Sequence, residues 1–362
     1  MNLRDSTFEA HRDEPPLDAF TNAVNFYIRP PRLWQVVRKR LELLMENLAD
    51  AGDKYNEFSA SSYKIRYPAS ALGEYLMGIY GALFGRTSPV GAKLEAFVAK
   101  DVRSALAMFT NIILSPHIPT TQIASVMMSP ENRIDEDRII RALMRGRYLY
   151  YNGNSVYCRN ILSPSEQDNR QSNFLYMDLL EFLVRRRKEK IDFSQEGYAT
   201  VATLVARMGQ LGYDDEDALR AINTLATWGL LEPESLVADE LRSGDAVKAH
   251  ASAWVHTRFF VSRVEYLVGC SAALRVSSRE LAEDLAQRWS QLPANAEFYA
   301  HAKIRLLERL RDYFTAEYER RCRRHAFYRE AGYGGRTILA AFESALDHLK
   351  GGRKSPFIRK VR

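Results

Sequence analysis

Residues 191–234 constrain the fold most, because they contain two short helical patterns separated by a glycine. In each pattern apolar residues recur at intervals of three and four, which places them on one face of a helix. These residues are Val201, Leu204, Val205 and Met208 in the first pattern, and Leu219, Ile222, Leu225 and Ala226 in the second. Gly212 lies in the break, and Gly229 follows the second pattern, where a glycine commonly ends a helix. The sequence therefore predicts a helix, a turn and a second helix.

The flanking residues extend this pattern on both sides. Residues 174–190 predict a preceding helix, residues 230–233 predict a short strand, and a polar turn at 243–245 is followed by a second β-type run. Three helices followed by two strands are the element order of a winged helix-turn-helix, which we predict for residues 173–251. We expect this module in a mainly α fold, with short β-hairpins and a C-terminal helical domain.

The second helix of the predicted module begins with four carboxylates, from Asp214 to Asp217. Carboxylates stabilise the positive end of a helix dipole. They also repel phosphates, and the start of the second helix is where a helix-turn-helix contacts bases. Arg220, Asn223 and Thr227 are then the candidate contacts on its exposed side. The module is interpreted either as a nucleic-acid-binding unit or as a packing and protein-docking unit, because the fold alone does not decide its function.

Further candidate nucleic-acid contacts come from three basic clusters outside that helix. They are Arg145 and Arg147 near a predicted Asn-Gly hairpin, Arg185, Arg186 and Arg187 at the end of the first helix, and Arg320, Arg321, Arg323 and Arg324 at the end of a long helix. Clustered arginines can hold phosphates. Cations at a helix C-terminus also offset the helix dipole, so a solvated, stabilising role remains the alternative.

The remaining segments predict a largely helical chain. We predict a disordered region at 1–18, a β-type run at 22–31, helices at 32–51, 69–84 and 91–114, an irregular stretch at 53–67, and a helix plus hairpin at 131–165. After the winged helix we predict helices at 252–267, 278–289, 295–327 and 336–349, a glycine turn at 332–335, and a basic tail at 350–362. Trp254, Val255, Phe259 and Val261 are expected in the core.

One resemblance covers about residues 20–270. The run NFYIRPPRLW at 25–34 and the run KDVRSALAMF at 100–109 resemble the lid and winged-helix region of bacterial AAA+ or STAND-type P-loop ATPases. The resemblance implies a lid-like helical domain at 19–130, a sensor-2 role for Arg103, and a link to ATPase-driven signalling or defence. Lys100-Asp101 replaces the usual Gly-Asn, and no phosphate-binding loop of the form G-x-x-x-x-G-K-[ST] occurs. The resemblance therefore implies an ATPase core in a missing N-terminal region or on another chain.

Composition narrows the function without deciding it. The formal net charge of +6 permits an acidic partner but does not require one. The three cysteines are widely separated, which indicates a reducing, cytoplasmic compartment, and no apolar run is long enough for a membrane span. No catalytic motif, metal-ligand spacing or cofactor motif is present, so we assign no catalytic residue and no cofactor. Three functions remain open: a nucleic-acid-binding regulatory module, a protein adaptor or oligomerisation module, and an enzyme of unrecognised type.

Overall fold

We describe the 362-residue chain from a computed structural model. The described residues are 33–50, 55–60, 63–84, 91–98, 102–119, 121, 134–148, 151, 155, 157–162, 172–189, 197–234, 240–270 and 296–351. They fall into two compact units, an N-terminal unit up to residue 157 and a C-terminal unit from residue 158. Helices dominate both units, which confirms the predicted mainly α fold. Among the helices of these ranges, none is long and apolar enough to cross a membrane.

Within the described ranges, five helices build the N-terminal unit. They are α1 (Leu33–Asp50), α2 (Ala69–Phe84), α3 (Gly91–Val98), α4 (Val102–Ile113) and α5 (Glu136–Arg145). Their apolar faces meet in one core formed by Val37, Leu41, Ile79, Leu83, Leu94, Met108, Ile112, Ile139 and Leu143, among others. The helices predicted at 32–51 and 69–84 are confirmed as α1 and α2, whereas the helical region predicted at 91–114 contains two helices.

A hairpin in this unit corrects the sequence prediction. β1 (Tyr55–Ala60) and β2 (Tyr63–Pro68) pair antiparallel over their whole length, where the sequence analysis expected an irregular stretch. The missed signal is the alternation of Tyr63, Ile65 and Tyr67 with charged residues, since a two-residue apolar period is typical of a strand.

Helix α5 begins directly after Asp135 and ends directly before Gly146. The Asp135 side chain accepts a hydrogen bond from the Asp137 backbone amide at 3.1 Å, and Gly146 follows the helix with a φ of 59°. The helix of the predicted 131–165 segment is therefore confirmed. The turn of the predicted Asn-Gly hairpin lies outside the described residues, as do the predictions for 1–31, for 278–289 and for the tail from 352 onward.

The C-terminal unit is built around one buried helix, α6 (Leu175–Glu189). Together with α11 (Ala296–Arg324), α12 (Ala326–Ala331) and α13 (Tyr333–Lys350), it forms a shared core. Helix α13 packs along both α6 and α11. The ring of Phe174, which directly precedes α6, packs on Phe314 of α11, and Phe314 packs on Phe342 of α13, with centroid distances of 5.6 Å and 5.3 Å for the successive pairs. The predicted long helix at 295–327 is α11, which ends before His325, and α12 is separate.

Between α6 and α11 lies a helix-turn-helix with a small sheet. In chain order its elements are β3 (Ala199–Thr200), α7 (Val201–Gln210), α8 (Asp215–Thr227), β4 (Leu231–Pro233) and β5 (Ala246–Ala249). The three strands are antiparallel, and β5 lies between β3 and β4. The predicted helix, turn, helix and strands are thus confirmed as elements. On α8 the buried face contains Ala218, Ala221, Ile222 and Leu225, whereas Leu219, predicted on that face, is 38% exposed.

The segment after β5 is not the single helix that its sequence predicts. It forms α9 (Ala251–Val255), a π-helical turn (His256–Phe260) and α10 (Val264–Gly269). Trp254, predicted in the core, is 45% exposed, while Val255 and Val261 are buried as expected.

Two glycines that predict a turn begin a helix instead. Gly334 and Gly335 lie buried in the first turn of α13. A Cβ added to Gly334 would lie 2.5 Å from the Asp178 backbone nitrogen, and one added to Gly335 would lie 2.7 Å from the Tyr318 ring. The glycines therefore allow the start of α13 to approach α6 and α11 closely, a tertiary cause that the local pattern does not show.

Candidate functional site

A buried carboxylate joins four elements of the C-terminal unit. Asp178 of α6 accepts hydrogen bonds at Oδ2 from the Tyr213 hydroxyl (2.7 Å) and the Tyr328 hydroxyl (2.8 Å). Its Oδ1 accepts a third from the Gly334 amide (2.7 Å). Tyr213 lies in the turn between α7 and α8, Tyr328 in α12 and Gly334 in α13. The carboxylate thus fixes the turn of the helix-turn-helix against the C-terminal helices.

Burial controls the protonation of this cluster. It raises the pKa of the Asp178 carboxyl, although the hydrogen bonds from Tyr213, Tyr328 and Gly334 act in the opposite direction. Burial, and next the Asp178 charge, raise the pKa of Tyr213 and of Tyr328 well above the ordinary tyrosine value. Both hydroxyls therefore remain protonated donors at neutral pH.

Arg321 of α11 covers the two tyrosines. Its guanidinium carbon lies 3.8 Å from the ring centroid of Tyr213 and 4.8 Å from that of Tyr328. Its Nη2 donates a hydrogen bond of 2.7 Å to the Leu211 carbonyl oxygen. The residue is 8% exposed, so this predicted nucleic-acid contact holds the fold together through part of its side chain.

A cleft of about 350 Å³ opens beside Arg321. It is lined by Gly212, Glu317, Arg320, Arg321, Arg324 and His325. Arg320 and Arg324 are exposed and lie one helical turn apart on α11. The predicted contact Arg323 is also exposed but does not line the cleft, and it lies 4.0 Å from Glu319. The structure thus gathers three of the four arginines of this run around one concave surface.

The turn of the helix-turn-helix supplies one wall of the cleft. Gly212 has a φ of 80°, a conformation that side chains rarely adopt. A Cβ at Gly212 would also overlap the His325 ring. Glycine is therefore required here both by the backbone and by the close approach of His325.

Among the described residues that line the cleft, the single carboxylate is used within the fold. Glu317 is buried, and its Oε1 accepts hydrogen bonds from the Ser172 hydroxyl (2.5 Å) and the Asn173 amide (2.9 Å). Its Oε2 accepts from the Asn173 side-chain nitrogen (2.9 Å). With three arginines against this one carboxylate, the cleft carries an excess of positive charge.

The predicted arginines at the end of α6 are largely engaged by neighbours. Glu181 is fully buried, and Arg258 donates hydrogen bonds to both of its carboxylate oxygens. Arg185 lies 3.4 Å from the same carboxylate. The Arg185 guanidinium also stacks on the Tyr333 ring, at 3.8 Å from the ring centroid. Arg186 donates from Nε to the Tyr198 carbonyl at 3.0 Å. The side chain of Arg187, the third member, lies outside the described residues.

The contacts predicted on α8 also serve the fold. Arg220 lies 3.2 Å from Asp217 in the preceding turn. Asn223 donates to the Leu219 carbonyl (3.2 Å), and its Oδ1 accepts from the Leu241 amide (2.8 Å). Thr227 donates to the Asn223 carbonyl at 3.0 Å. The exposed residues at the start of the helix are Asp214, Asp215 and Glu216, so the outward face of α8 is acidic at its N-terminal end, with Arg220 following on the exposed side.

The other predicted site residues belong to the N-terminal unit. Arg145 is half-buried at the end of α5, Arg147 is exposed two residues later, and Arg103 is exposed on α4. The sensor-2 role of Arg103 stays a prediction.

Sequence reasoning missed Asp178, Tyr213 and Tyr328. A signal for the first was available: α6 is apolar around most of its circumference and carries Asp178 and Glu181 one turn apart. Carboxylates in a helix buried on all sides need partners, because an unpaired buried charge is very costly. The partner tyrosines are 35 and 150 residues away, so their identity could not be read locally.

Comparison with known proteins gives no match, whether with family models, with curated proteins or with solved structures. Within the described ranges, no group of three or more His, Cys, Asp and Glu side chains is placed to hold a metal ion. Cys158, Cys270 and Cys322 are buried, and none of the three is in a disulfide.

Proposed function

We propose that the chain is a non-catalytic winged-helix module that binds nucleic acid through its phosphates at the basic end of α11. The observation that carries this proposal is the convergence of Arg320, Arg321 and Arg324 on one cleft, with Arg323 exposed beside it. The link to an ATPase system rests on the sequence resemblance alone.

The topology supports the winged-helix part of the proposal. The order α6, β3, α7, α8, β4, β5, with β5 in the middle of the sheet, is the arrangement in which a wing connects two neighbouring strands. Residues 235–239 of that connection lie outside the described part of the chain.

The negative charge at the start of α8 disfavours nucleic-acid binding at the helix that usually contacts bases. A recognition helix contacts bases with its N-terminal residues, and in α8 these are Asp214, Asp215 and Glu216. Their repulsion of phosphates opposes entry into a groove. The exposed arginines of α11 have the opposite charge and the fork geometry that binds phosphate oxygens. We therefore propose backbone contacts without base-specific reading.

A protein adaptor is the second candidate, and the acidic face of α8 favours it. That face combines three carboxylates with Leu219, which is 38% exposed, and such a surface suits a basic partner with an apolar contact. Salt separates the candidates, because phosphate binding weakens by orders of magnitude as salt rises several-fold, whereas an apolar contact does not.

The test is fluorescence anisotropy with mixed-sequence single- and double-stranded DNA at two salt concentrations. The variant Arg320→Gln/Arg323→Gln/Arg324→Gln leaves buried Arg321 intact. The control Arg40→Gln/Lys303→Gln/Arg305→Gln removes three charges from exposed positions elsewhere. We expect the first variant to lose roughly ten-fold or more in affinity and to lower the salt slope by about 2–3. Equal affinity in both variants, or no binding by the natural chain at low salt, would overturn the proposal.

A further inference from the structure

We propose that the cleft beside Arg321 binds a terminal phosphate group, that is, a phosphomonoester. This deepens the proposed function where the source is the 5′ end of a nucleic-acid strand. A free nucleotide or inorganic phosphate carries the same chemistry, and the experiment below separates these sources.

The donors of the cleft converge in the way that a phosphate requires. Arg320 and Arg324 are four residues apart, so their side chains project from the same face of α11. His325 follows directly and contacts the Gly212 turn opposite. Arg321 contributes from the buried side. Guanidinium groups bind phosphate oxygens through paired N–H donors, and three of them around one concave surface can surround a single group.

A buried donor within the cleft points to a ligand and not merely to solvated charge. Arg321 uses Nη2 to bind the Leu211 carbonyl, but its buried Nε–H has no hydrogen-bond acceptor within the described part of the chain. A buried donor without an acceptor costs free energy. A phosphate oxygen in the cleft that Arg321 lines would accept this hydrogen bond once the guanidinium turns towards the cleft, and would then remove that cost.

The shape and charge of the cleft favour a terminal phosphate over an internal one. Its volume of about 350 Å³ accommodates a phosphate group together with the sugar that carries it. A terminal phosphate carries close to two negative charges at neutral pH, against one for an internal phosphodiester. The three arginines match the higher charge. The carboxylate of Glu317 in the wall is directed to Ser172 and Asn173, which limits its repulsion.

The experiment compares two single-stranded oligonucleotides of one sequence, one with a 5′-phosphate and one with a 5′-hydroxyl, both labelled at the 3′ end. Anisotropy gives their affinities for the full chain at low salt, and calorimetry gives the affinity for inorganic phosphate and for adenosine monophosphate. Arg324→Gln is the test variant. Arg323→Gln is the matched control, because it removes the same charge one position away, from an exposed side chain outside the cleft. Thermal melting checks that both variants fold.

We expect the 5′-phosphorylated strand to bind about ten-fold more tightly than the hydroxylated strand, a difference of about 1.4 kcal/mol. Arg324→Gln should abolish this preference, and Arg323→Gln should retain it. Binding of phosphate or the mononucleotide without binding of either strand supports the cleft while rejecting the proposed function. Salt-sensitive binding of both strands with equal affinity, and no binding of inorganic phosphate, rejects the cleft while leaving the proposed function intact. Equal loss of the preference for the 5′-phosphorylated strand in the two variants also overturns the inference. It would show that the arginines act through their general positive charge and do not form a specific site.

Discussion

The outward face of α8 and the C-terminal end of α11 lie on either side of the same turn and carry opposite charge. Asp214, Asp215 and Glu216 follow Gly212 in the chain, while Arg320 and Arg324 face it across the cleft. The helix that by its position would meet nucleic acid thus has the wrong charge, and a helix outside the helix-turn-helix supplies the positive charge. Topology and charge therefore indicate different surfaces, and for an interaction with phosphates the charge decides.

Both surfaces depend on one buried cluster. Asp178 binds Tyr213, which directly precedes the acidic run, and Tyr328, which lies just beyond the basic run. Loss of this cluster should disturb both faces together, whereas surface substitutions should affect only one.

The largest effect is expected for Asp178→Ala. The change leaves two tyrosine hydroxyls and the Gly334 amide buried without their acceptor, and it removes the negative charge near Arg321. We expect the free energy of unfolding to fall by about 3–5 kcal/mol, measured by urea denaturation. The exposed Asp312→Ala on α11 is the control and should change stability by less than about 0.5 kcal/mol. Equal stability of the two variants would show that the faces are not held by Asp178.

A slightly smaller loss of stability is expected at acidic pH, because His256 is buried. Burial lowers the pKa of this imidazole from 6.5 to about 4. The unfolded chain therefore takes up a proton below about pH 6.5 and the folded chain only near pH 4, so stability present at neutral pH is lost as the pH falls between these values. This loss of unfolding free energy approaches about 3 kcal/mol. Binding measurements that compare the α8 surface with the end of α11 should therefore be made above about pH 7.

The measurement is the free energy of unfolding against pH for the natural chain, His256→Gln and the exposed control His301→Gln. The slope between pH 4 and 6.5 should flatten only in His256→Gln. Asp178 contributes with the opposite sign, because its raised pKa stabilises the fold at low pH and that contribution is lost as the pH rises. A comparison of slopes between variants isolates His256, and an unchanged slope in His256→Gln would contradict the prediction.

Much of the fold follows from local patterns, and the exceptions have tertiary causes. The three-and-four spacing located α1, α2, α7 and α8, since each buries one apolar face. The glycines at 334 and 335 indicated a turn, but their small size serves the contact of α13 with α6 and α11. Trp254 has a core-type side chain, and only the packed structure shows that it lies on the surface.

The positive charge of the candidate site was predictable from the sequence, but the roles of its individual arginines were not. The run Arg320-Arg321-Cys322-Arg323-Arg324 predicts a basic surface, yet nothing local distinguishes the buried Arg321 from exposed Arg323. The difference comes from Tyr213, more than 100 residues earlier, whose ring Arg321 covers. The helical period of the sequence predicts which residues are neighbours on one helix. It does not predict a contact with a residue far away in the chain, such as Tyr213, and the role of Arg321 depends on that contact.

Asn223→Ala tests whether the predicted base-reading position on α8 is structural. The change removes the acceptor of the Leu241 amide, so we expect stability to fall by about 1 kcal/mol in urea denaturation. DNA affinity and sequence preference should stay unchanged, because α8 is proposed not to contact bases. Thr227→Ala, which loses only a bond within the helix, is the control. A change in sequence preference with unchanged stability would reverse the roles of the two faces.

The smallest effect, and the most direct test of the comparison, is expected for Asp215→Asn/Glu216→Gln. If nucleic acid binds at the end of α11, these carboxylates act on it only through distant repulsion, which salt screens beyond roughly 10 Å. Neutralising them should then raise DNA affinity about two-fold at low salt and leave it unchanged at high salt. The double change Glu343→Gln/Asp347→Asn removes two exposed carboxylates from α13 and corrects for net charge. A loss of affinity in the α8 variant alone would place nucleic acid on α8, because removing negative charge weakens phosphate binding only where the side chains themselves make contacts.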